Sequence, residues 1–251
     1  MSVLPGQLFR SGSGGVQIIQ RFTPAQANLQ WLECAEWRLE PVSQSASIAM
    51  NGRETLLFQW KGSSTVTVGD RQIPLAPYDV LYVPLDSPFS VGADEPASLI
   101  QCSATASRCH PLHVSRFAEL SQRDDRIRRL KGKNVYLMFD VGEAADKLVA
   151  GYTFFEPYAR SWPPHNHTDQ EEAYIFIKGS GAMEVYETEE SLSFVHSVGA
   201  GDIVTIPFLN YHPVFSQADP LEFIWCIAGE RYWVGDKNKD FMSGKLNRLT
   251  T

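Results

Sequence analysis

His165 and His167 stand two residues apart, Glu172 follows five further on, and His212 lies forty residues later in Tyr211-His212-Pro213. In an extended segment, residues two apart share a face, so the first two imidazoles are predicted to point the same way. Glu172 opens the apolar run Ala173, Tyr174, Ile175, Phe176 and Ile177, a pattern expected of a buried strand. Three imidazoles and one carboxylate suit a divalent transition metal with positions left for water or substrate. A structural site would be closed. This one is predicted to be reactive.

The elements that must hold these side chains are mostly strands. Short runs rich in Val, Ile, Phe, Tyr and Thr recur between Gly and Pro signals, at residues 55–60, 64–68, 80–83, 174–177, 182–186, 203–206 and 222–227. They predict an all-β sandwich or barrel. The best helix candidate spans residues 115–131, where Phe117, Leu120, Ile127 and Leu130 form a loose apolar stripe.

Two segments repeat. Residues 56–62 (LLFQWKG) match 173–179 (AYIFIKG), and 78–84 (YDVLYVP) match 201–207 (GDIVTIP), at offsets of 117 and 123 residues. The difference predicts a longer hairpin in the second copy of a duplicated domain. Carried back across the repeat, His165 falls on Ile48, His167 on Met50, Glu172 on Thr55 and His212 on Phe89. None of these serves a metal well, so the first copy is predicted to have a packed interior and a structural or dimerising role. Lys178 has a counterpart in Lys61, which marks it as a turn or surface residue. Tyr174 and Tyr211 replace Leu57 and Pro88 and belong to the ligand-bearing copy alone.

The spacing resembles the cupin superfamily. Its first motif reads His-x-His, three or four residues, Glu, six residues, Gly; six residues separate Glu172 from Gly179, which selects Glu172 over Glu171. The second reads Gly, five residues, Pro, four residues, His, as in Gly201, Pro207 and His212. Ala159 and Leu209 stand where glycines are usual and Ser216 where Asn is, but no ligand is lost. More narrowly, Ser161-Trp162-Pro163-Pro164 before His165, Glu171-Glu172-x-Tyr174, Tyr211-His212-Pro213 and Ala228-Gly229 resemble bicupin isomerases of uronate and inositol breakdown. These are the 5-deoxy-glucuronate isomerases and the 4-deoxy-L-threo-5-hexosulose-uronate ketol-isomerases, and the likeness is best over about residues 150–235. The chain is short for that family, with a compact loop between His167 and Glu172.

The resemblance implies a bicupin of two tandem jelly-roll barrels. Residues 16–114 would form a cupin without metal ligands, 115–132 a helical linker and 133–245 the metal-binding cupin. It also implies aldose–ketose interconversion of a uronate or deoxy-uronate through an enediolate, with one divalent metal per chain: zinc first, with manganese, iron or nickel as alternatives. Glu172 would act as ligand and catalytic group, and Tyr174 as a polar helper. Glu184 and Tyr186 are alternative helpers, while Arg160 and Arg231 are candidates for the substrate carboxylate. The same ligand set also suits a cupin dioxygenase, another metal-dependent lyase or hydrolase, or a non-catalytic sugar-binding cupin.

Composition narrows the partners. The 251 residues are 43% hydrophobic and 20% charged, with a net charge of -7, which argues against a nucleic-acid backbone as partner. The one basic stretch, with Arg126, Arg128, Arg129 and Lys131, is interrupted by Asp124 and Asp125 and reads as a solvated connector. Cys34, Cys102, Cys109 and Cys226 are scattered without a C-x-x-C pair and fit buried free thiols in a reducing compartment. No signal-peptide core or membrane-length apolar run is present, so a cytoplasmic protein is expected. His196 is expected in solvent, and His110 and His113 lack a convergent carboxylate. No phosphate loop or dinucleotide fingerprint implies an organic cofactor. A homodimer is the simplest assembly.

Overall fold

The computed structural model describes residues 2–3, 10–11, 15–161, 164–186, 188 and 191–232. It is built almost entirely of antiparallel strands, arranged in two similar halves. Each half pairs a seven-stranded sheet with a smaller one: four strands in the first half, three in the second. The central strands of the large sheets are Arg53–Lys61 and Ala97–Thr105 in the first half, Gln170–Lys178 and Leu221–Gly229 in the second. No helix among the described residues is long and apolar enough to cross a membrane.

These central strands are buried on both faces, and the alternation of their side chains explains why. Along Gln170–Lys178, Tyr174 and Phe176 enter the interior of the second barrel with Phe223 and Trp225. Ala173, Ile175 and Ile177 point the other way, into a third core shared by the two halves. Leu56, Phe58 and Tyr82 reach that core from the first half, and Tyr152, Ile224 and Cys226 from the second. The first barrel has its own interior around Trp37, Leu57, Val66 and Phe89. The two large sheets therefore lie back to back, each walling off a separate barrel.

Two reciprocal devices join the halves. His113–Ser115, which precedes the second half, pairs with Val80–Val83 of the first, while Ser2–Val3 pairs with Ile203–Ile206 of the second. Glu54 accepts hydrogen bonds from the backbone N–H groups of Asp146, Lys147 and Leu148 at 2.7–3.0 Å, and from the Tyr82 hydroxyl at 2.8 Å. Glu171, its counterpart at the 117-residue offset, accepts from Gln30, Trp31 and Leu32 at 2.6–2.8 Å. Both carboxylates are fully buried. Each thus satisfies a turn of the opposite half whose donors would otherwise be stranded away from water.

The long helix expected over residues 115–131 does not form. Helix is confined to Phe117–Leu120, followed by a 3-10 turn at Asp124–Arg126, and Ile127–Leu130 is a strand. The apolar residues of the stripe are used singly. Phe117 packs on Tyr78, Tyr136 and Tyr152, whereas Ile127 pairs with Tyr136 across a hairpin turned by Gly132 at φ +73°. Arg123 and Arg129 pair with Asp125 and Asp124 at the surface, whereas Arg126 is largely buried against Glu143, so the basic stretch is only in part the solvated connector expected. Of the cysteines, Cys34, Cys102 and Cys226 are buried free thiols in the shared core, whereas Cys109 is free but exposed.

Glu171→Ala removes the acceptor for three N–H donors at once and is expected to destabilise the protein by about 3–5 kcal/mol. Glu54→Ala should cost a similar amount, and Glu171→Gln, which keeps one acceptor oxygen, less. Urea unfolding of the three variants measures this; a loss below about 1 kcal/mol for both alanine variants would refute the role assigned to the carboxylates.

Candidate metal centre

His165 and His167 lie on an extended segment just before strand Gln170–Lys178, outside any ladder. Their backbone is held instead by the second motif: Leu209 N–H donates to the His167 carbonyl at 2.7 Å and His212 N–H to the His165 carbonyl at 3.4 Å. Leu209, at the usual glycine position, adopts φ +64° with its side chain exposed. The turn needs this left-handed backbone, and a leucine there is tolerated at a cost of about 1 kcal/mol. Gly179 is stricter. It sits at φ +79°, and a Cβ there would lie 1.8 Å from the Pro220 carbonyl oxygen.

The four side chains converge. Ring centroids are 5.3 Å apart for His165 and His167, 4.5 Å for His165 and His212, and 5.2 Å for His167 and His212. The candidate ligand atoms of the three imidazoles all lie within 4.8 Å of one another. Glu172 Oε2 is 3.2 Å from His167 Nε2 and 3.1 Å from His212 Nε2. His212 Nδ1 lies 2.7 Å from the Asn210 carbonyl oxygen, a contact that requires the proton on Nδ1 and leaves Nε2 as the lone-pair donor. That Nε2 is buried and has no aligned hydrogen bond.

The electrostatics suit metal binding. Burial above all, with the neighbouring His212, His167 and Lys133 acting in the same direction, holds His165 well below the ordinary imidazole range, so it is a neutral donor. Burial alone would raise the Glu172 carboxyl, but hydrogen bonds and charge from His167 and His212 outweigh it and keep the group ionised. Three imidazoles and an anionic oxygen, converging with the buried His212 Nε2 among them, fit a divalent transition ion. Among the described residues, neither His110 nor His113 joins such a group, and His196 is exposed on strand Leu192–Gly199.

Beside the imidazoles lies a cavity of about 100 Å3, lined by His165, His167, Glu172 and Tyr174. Its walls are largely apolar, with Val135, Phe155, Phe223 and Trp225. Tyr174 is buried, and burial with the nearby Glu172 charge pushes its phenol well above the ordinary range, so it stays protonated. The other expected helpers lie elsewhere. Glu184, Tyr186 and Arg160 bond to one another and do not line the cavity. Arg231 donates to the carbonyls of Leu148 and Asp140 and braces the backbone. Lys178 is a surface residue paired with Glu222 at 2.8 Å. Trp162 and Pro163 of the flanking motif, and the end of the second barrel beyond residue 232, lie outside the described residues.

Sequence reasoning missed Lys133. It lines the cavity, is buried, and donates from Nζ to Ser161 Oγ at 2.8 Å. Desolvation lowers its pKa to about 8. The signal was available, because the 117-residue offset carries Lys133 onto Val16, an apolar core position of the first barrel.

The first barrel shows what replaces a centre of this kind. Ile48 and Phe89 exchange two backbone hydrogen bonds of 2.8 Å at the positions of His165 and His212. Thr55 bonds to Ser103 at 2.9 Å, Gln101 reaches Ser103 and the Met50 sulfur, and the Trp37 indole donates to Gln101. The polar groups at these positions satisfy one another.

A family model described as the KduI/IolB family matches residues 7–242 of this chain. The 4-deoxy-L-threo-5-hexosulose-uronate ketol-isomerase 1 of Rhizobium meliloti (strain 1021) is 27% identical over 209 residues, covering 76% of this chain and 71% of that protein. Among solved structures, an IolB-like protein from Salmonella typhimurium LT2 superposes with a TM-score of 0.76 at 21% identity, covering 93% of this chain and 95% of that one. A Bacillus subtilis oxalate decarboxylase OxdC mutant gives 0.76 at 15% identity, covering 92% and 78%. At these identities the two structures support the two-barrel fold alone.

Lys133 yields a stability prediction. Its ammonium loses its proton near pH 8 when folded and near 10.4 when unfolded. The charge therefore opposes folding fully below about pH 8, and the penalty fades as pH rises from 8 to above 10. Lys133→Met is expected to stabilise the protein at pH 7 by about 1–3 kcal/mol, net of the lost bond to Ser161. It should also flatten the rise in stability between pH 8 and 10. Urea unfolding across that range checks both effects, and a destabilised variant would refute the assignment.

Proposed function

The chain belongs to the KduI/IolB family, and from that premise we propose that it is a metal-dependent isomerase interconverting aldose and ketose forms of a sugar acid. The observation that carries this reading is the convergence of His165, His167, Glu172 and His212 in the second barrel, beside a cavity that Tyr174 and Lys133 also line. The ketol-isomerase named for the Rhizobium relative supports the substrate class, a uronate or deoxy-uronate.

In this reading His165, His167, Glu172 and His212 hold one divalent ion per chain, which when bound supplies Lewis-acid polarisation of adjacent carbonyl and hydroxyl oxygens. Zinc is the ion we assign, with manganese, iron and nickel as the alternatives that metal analysis distinguishes. Asn210 holds the His212 ring so that Nε2 faces the site. Glu172 contributes the negative charge that balances the ion. Tyr174, held protonated, is positioned to donate a hydrogen bond to a substrate oxygen as charge develops on it. The apolar walls keep bulk water from the carbon whose proton moves between neighbouring positions.

We further place the protein in the cytoplasm, where four free cysteines are compatible with the redox state. We assign it a homodimeric state. Strand Leu192–Gly199 supports the dimer: it is the edge of the three-stranded sheet, with Leu192, Phe194 and Val195 exposed. Sedimentation at micromolar concentration is expected to show a dimer, and a monomer would overturn that assignment.

The central test pairs metal analysis of protein purified without added metal with anaerobic turnover of uronate-type substrates. One equivalent of metal, turnover without oxygen, and incorporation of solvent deuterium at the isomerised carbon are expected. His167→Ala and Glu172→Ala should lose metal and turnover while keeping the fold, because both barrels have cores independent of the ion. Tyr174→Phe should keep metal and slow turnover by roughly tenfold to a thousandfold. Substrate-dependent oxygen uptake with iron bound would sink the isomerase reading.

A further inference from the structure

Lys133 is an expensive residue for this fold to keep. Its ammonium lies in a wall formed by Val135, Phe155 and Phe223, and a cation in such surroundings is costly unless it meets an anion. The architecture does not require it, since Val16 fills the equivalent position of the first barrel and is buried there. An ammonium carries three N–H donors, and the one hydrogen bond that Nζ makes among the described residues goes to Ser161 Oγ.

The charges lining the cavity point to what the other donors meet. Arg128 and Lys133 are its basic residues, and Glu172 is its one acidic residue. Glu172 is engaged with His167 and His212. Arg128 is engaged with another group as well, so the positive charge a ligand meets in this space, apart from any bound ion, is that of Lys133. The arginines expected to take a substrate carboxylate are committed elsewhere: Arg160 to Glu184 and Tyr186, Arg231 to backbone carbonyls. Ser161 accepts from Lys133, which leaves its own hydroxyl hydrogen for a neighbouring acceptor.

We propose that Lys133, oriented by Ser161, is the residue that anchors the substrate's carboxylate, so that the acid end of the sugar lies on the ammonium and the carbonyl end at the imidazole cluster. This assignment rests on the sugar-acid isomerase reading and adds its specificity-determining residue. It explains why, among the described residues, a buried cation stands in the barrel that carries the histidines and not in its twin. It also gives the cavity a polarity, with a docking end and a reacting end.

The test uses the full-length protein as purified and two probes that differ in one group, D-glucuronate and the neutral D-glucose. Calorimetric titration of wild type is expected to show a preference for glucuronate of roughly ten- to a hundredfold, the scale of a charge-assisted hydrogen bond. Lys133→Met should abolish that preference by bringing the glucuronate affinity down to the level of glucose, and Lys133→Arg should retain part of it. Near-ultraviolet circular dichroism confirms that each variant is folded, and Met is expected to be tolerated as Val16 is in the twin barrel. In turnover, Lys133→Met should raise KM for a uronate far more than it lowers kcat.

A wild type without preference for glucuronate, or a Lys133→Met variant that keeps the preference, overturns the proposal. So does a collapse of kcat at unchanged KM, which would move Lys133 to proton transfer. The two readings fail separately. A lysine-dependent carboxylate preference without isomerisation of any uronate would leave the anchor standing and remove the isomerase. Isomerisation with the preference intact in Lys133→Met would do the reverse.

Discussion

Two buried carboxylates hold the molecule in its working form. Glu54 and Glu171 each reach across the boundary between the halves and accept three backbone N–H groups from a turn of the other. Each turn runs from the surface into the interior, and the donors at its buried end, Leu32 and Leu148, must find acceptors within the protein. Meeting that demand by exchange makes each half complete only in the presence of the other. For Glu171, burial raises the carboxyl and the three N–H groups only partly offset it, so the cap is held against a real desolvation cost. The exchanged strands, Ser2–Val3 and His113–Ser115, repeat the same logic in the sheet ladders.

The site inherits its geometry from this arrangement. Strand Gln170–Lys178 carries Glu171 and Glu172 side by side, and successive residues of a strand face opposite ways. With Glu171 fixed toward the first half, Glu172 must face the interior of the second barrel, where His167 and His212 meet it. One strand thus joins the halves with one face and contributes to the candidate metal centre with the other. A register slip of one residue would exchange the two roles and lose both.

Among the described residues, the cluster of metal-ligating side chains lies in the second barrel and not in the first. In the first, the histidine positions hold Ile48, Met50 and Phe89, and the remaining polar groups close on themselves through Trp37, Gln101, Ser103 and Thr55. Its large sheet supplies half of the shared core, so the second barrel can keep a cavity and a buried lysine without having to provide all of the molecule's packing. Unsatisfied and desolvated groups gather where function is expected, and the stability that tolerates them comes from elsewhere in the fold.

Much of this was legible in the chain, for a definable reason. Alternating apolar residues, turn glycines and the 117- and 123-residue offsets report on local backbone and on ancestry, so the strands and the two-barrel plan could be read directly. The spacing of His165, His167, Glu172 and His212 indicated donors for a metal because motif spacing within strands and tight turns translates into direction. Residues 115–131 misled because a loose apolar stripe does not distinguish a helix from side chains packed one at a time, and the pairing of Ile127 with Tyr136 decided the matter. Tertiary structure alone revealed that Glu171 caps residues 30–32, that Lys133 enters the cavity, and that Arg160 and Arg231 are committed elsewhere. Those facts depend on partners as far as 141 residues away in the chain, and local spacing carries no information about which distant surface a side chain will meet once two sheets pack back to back.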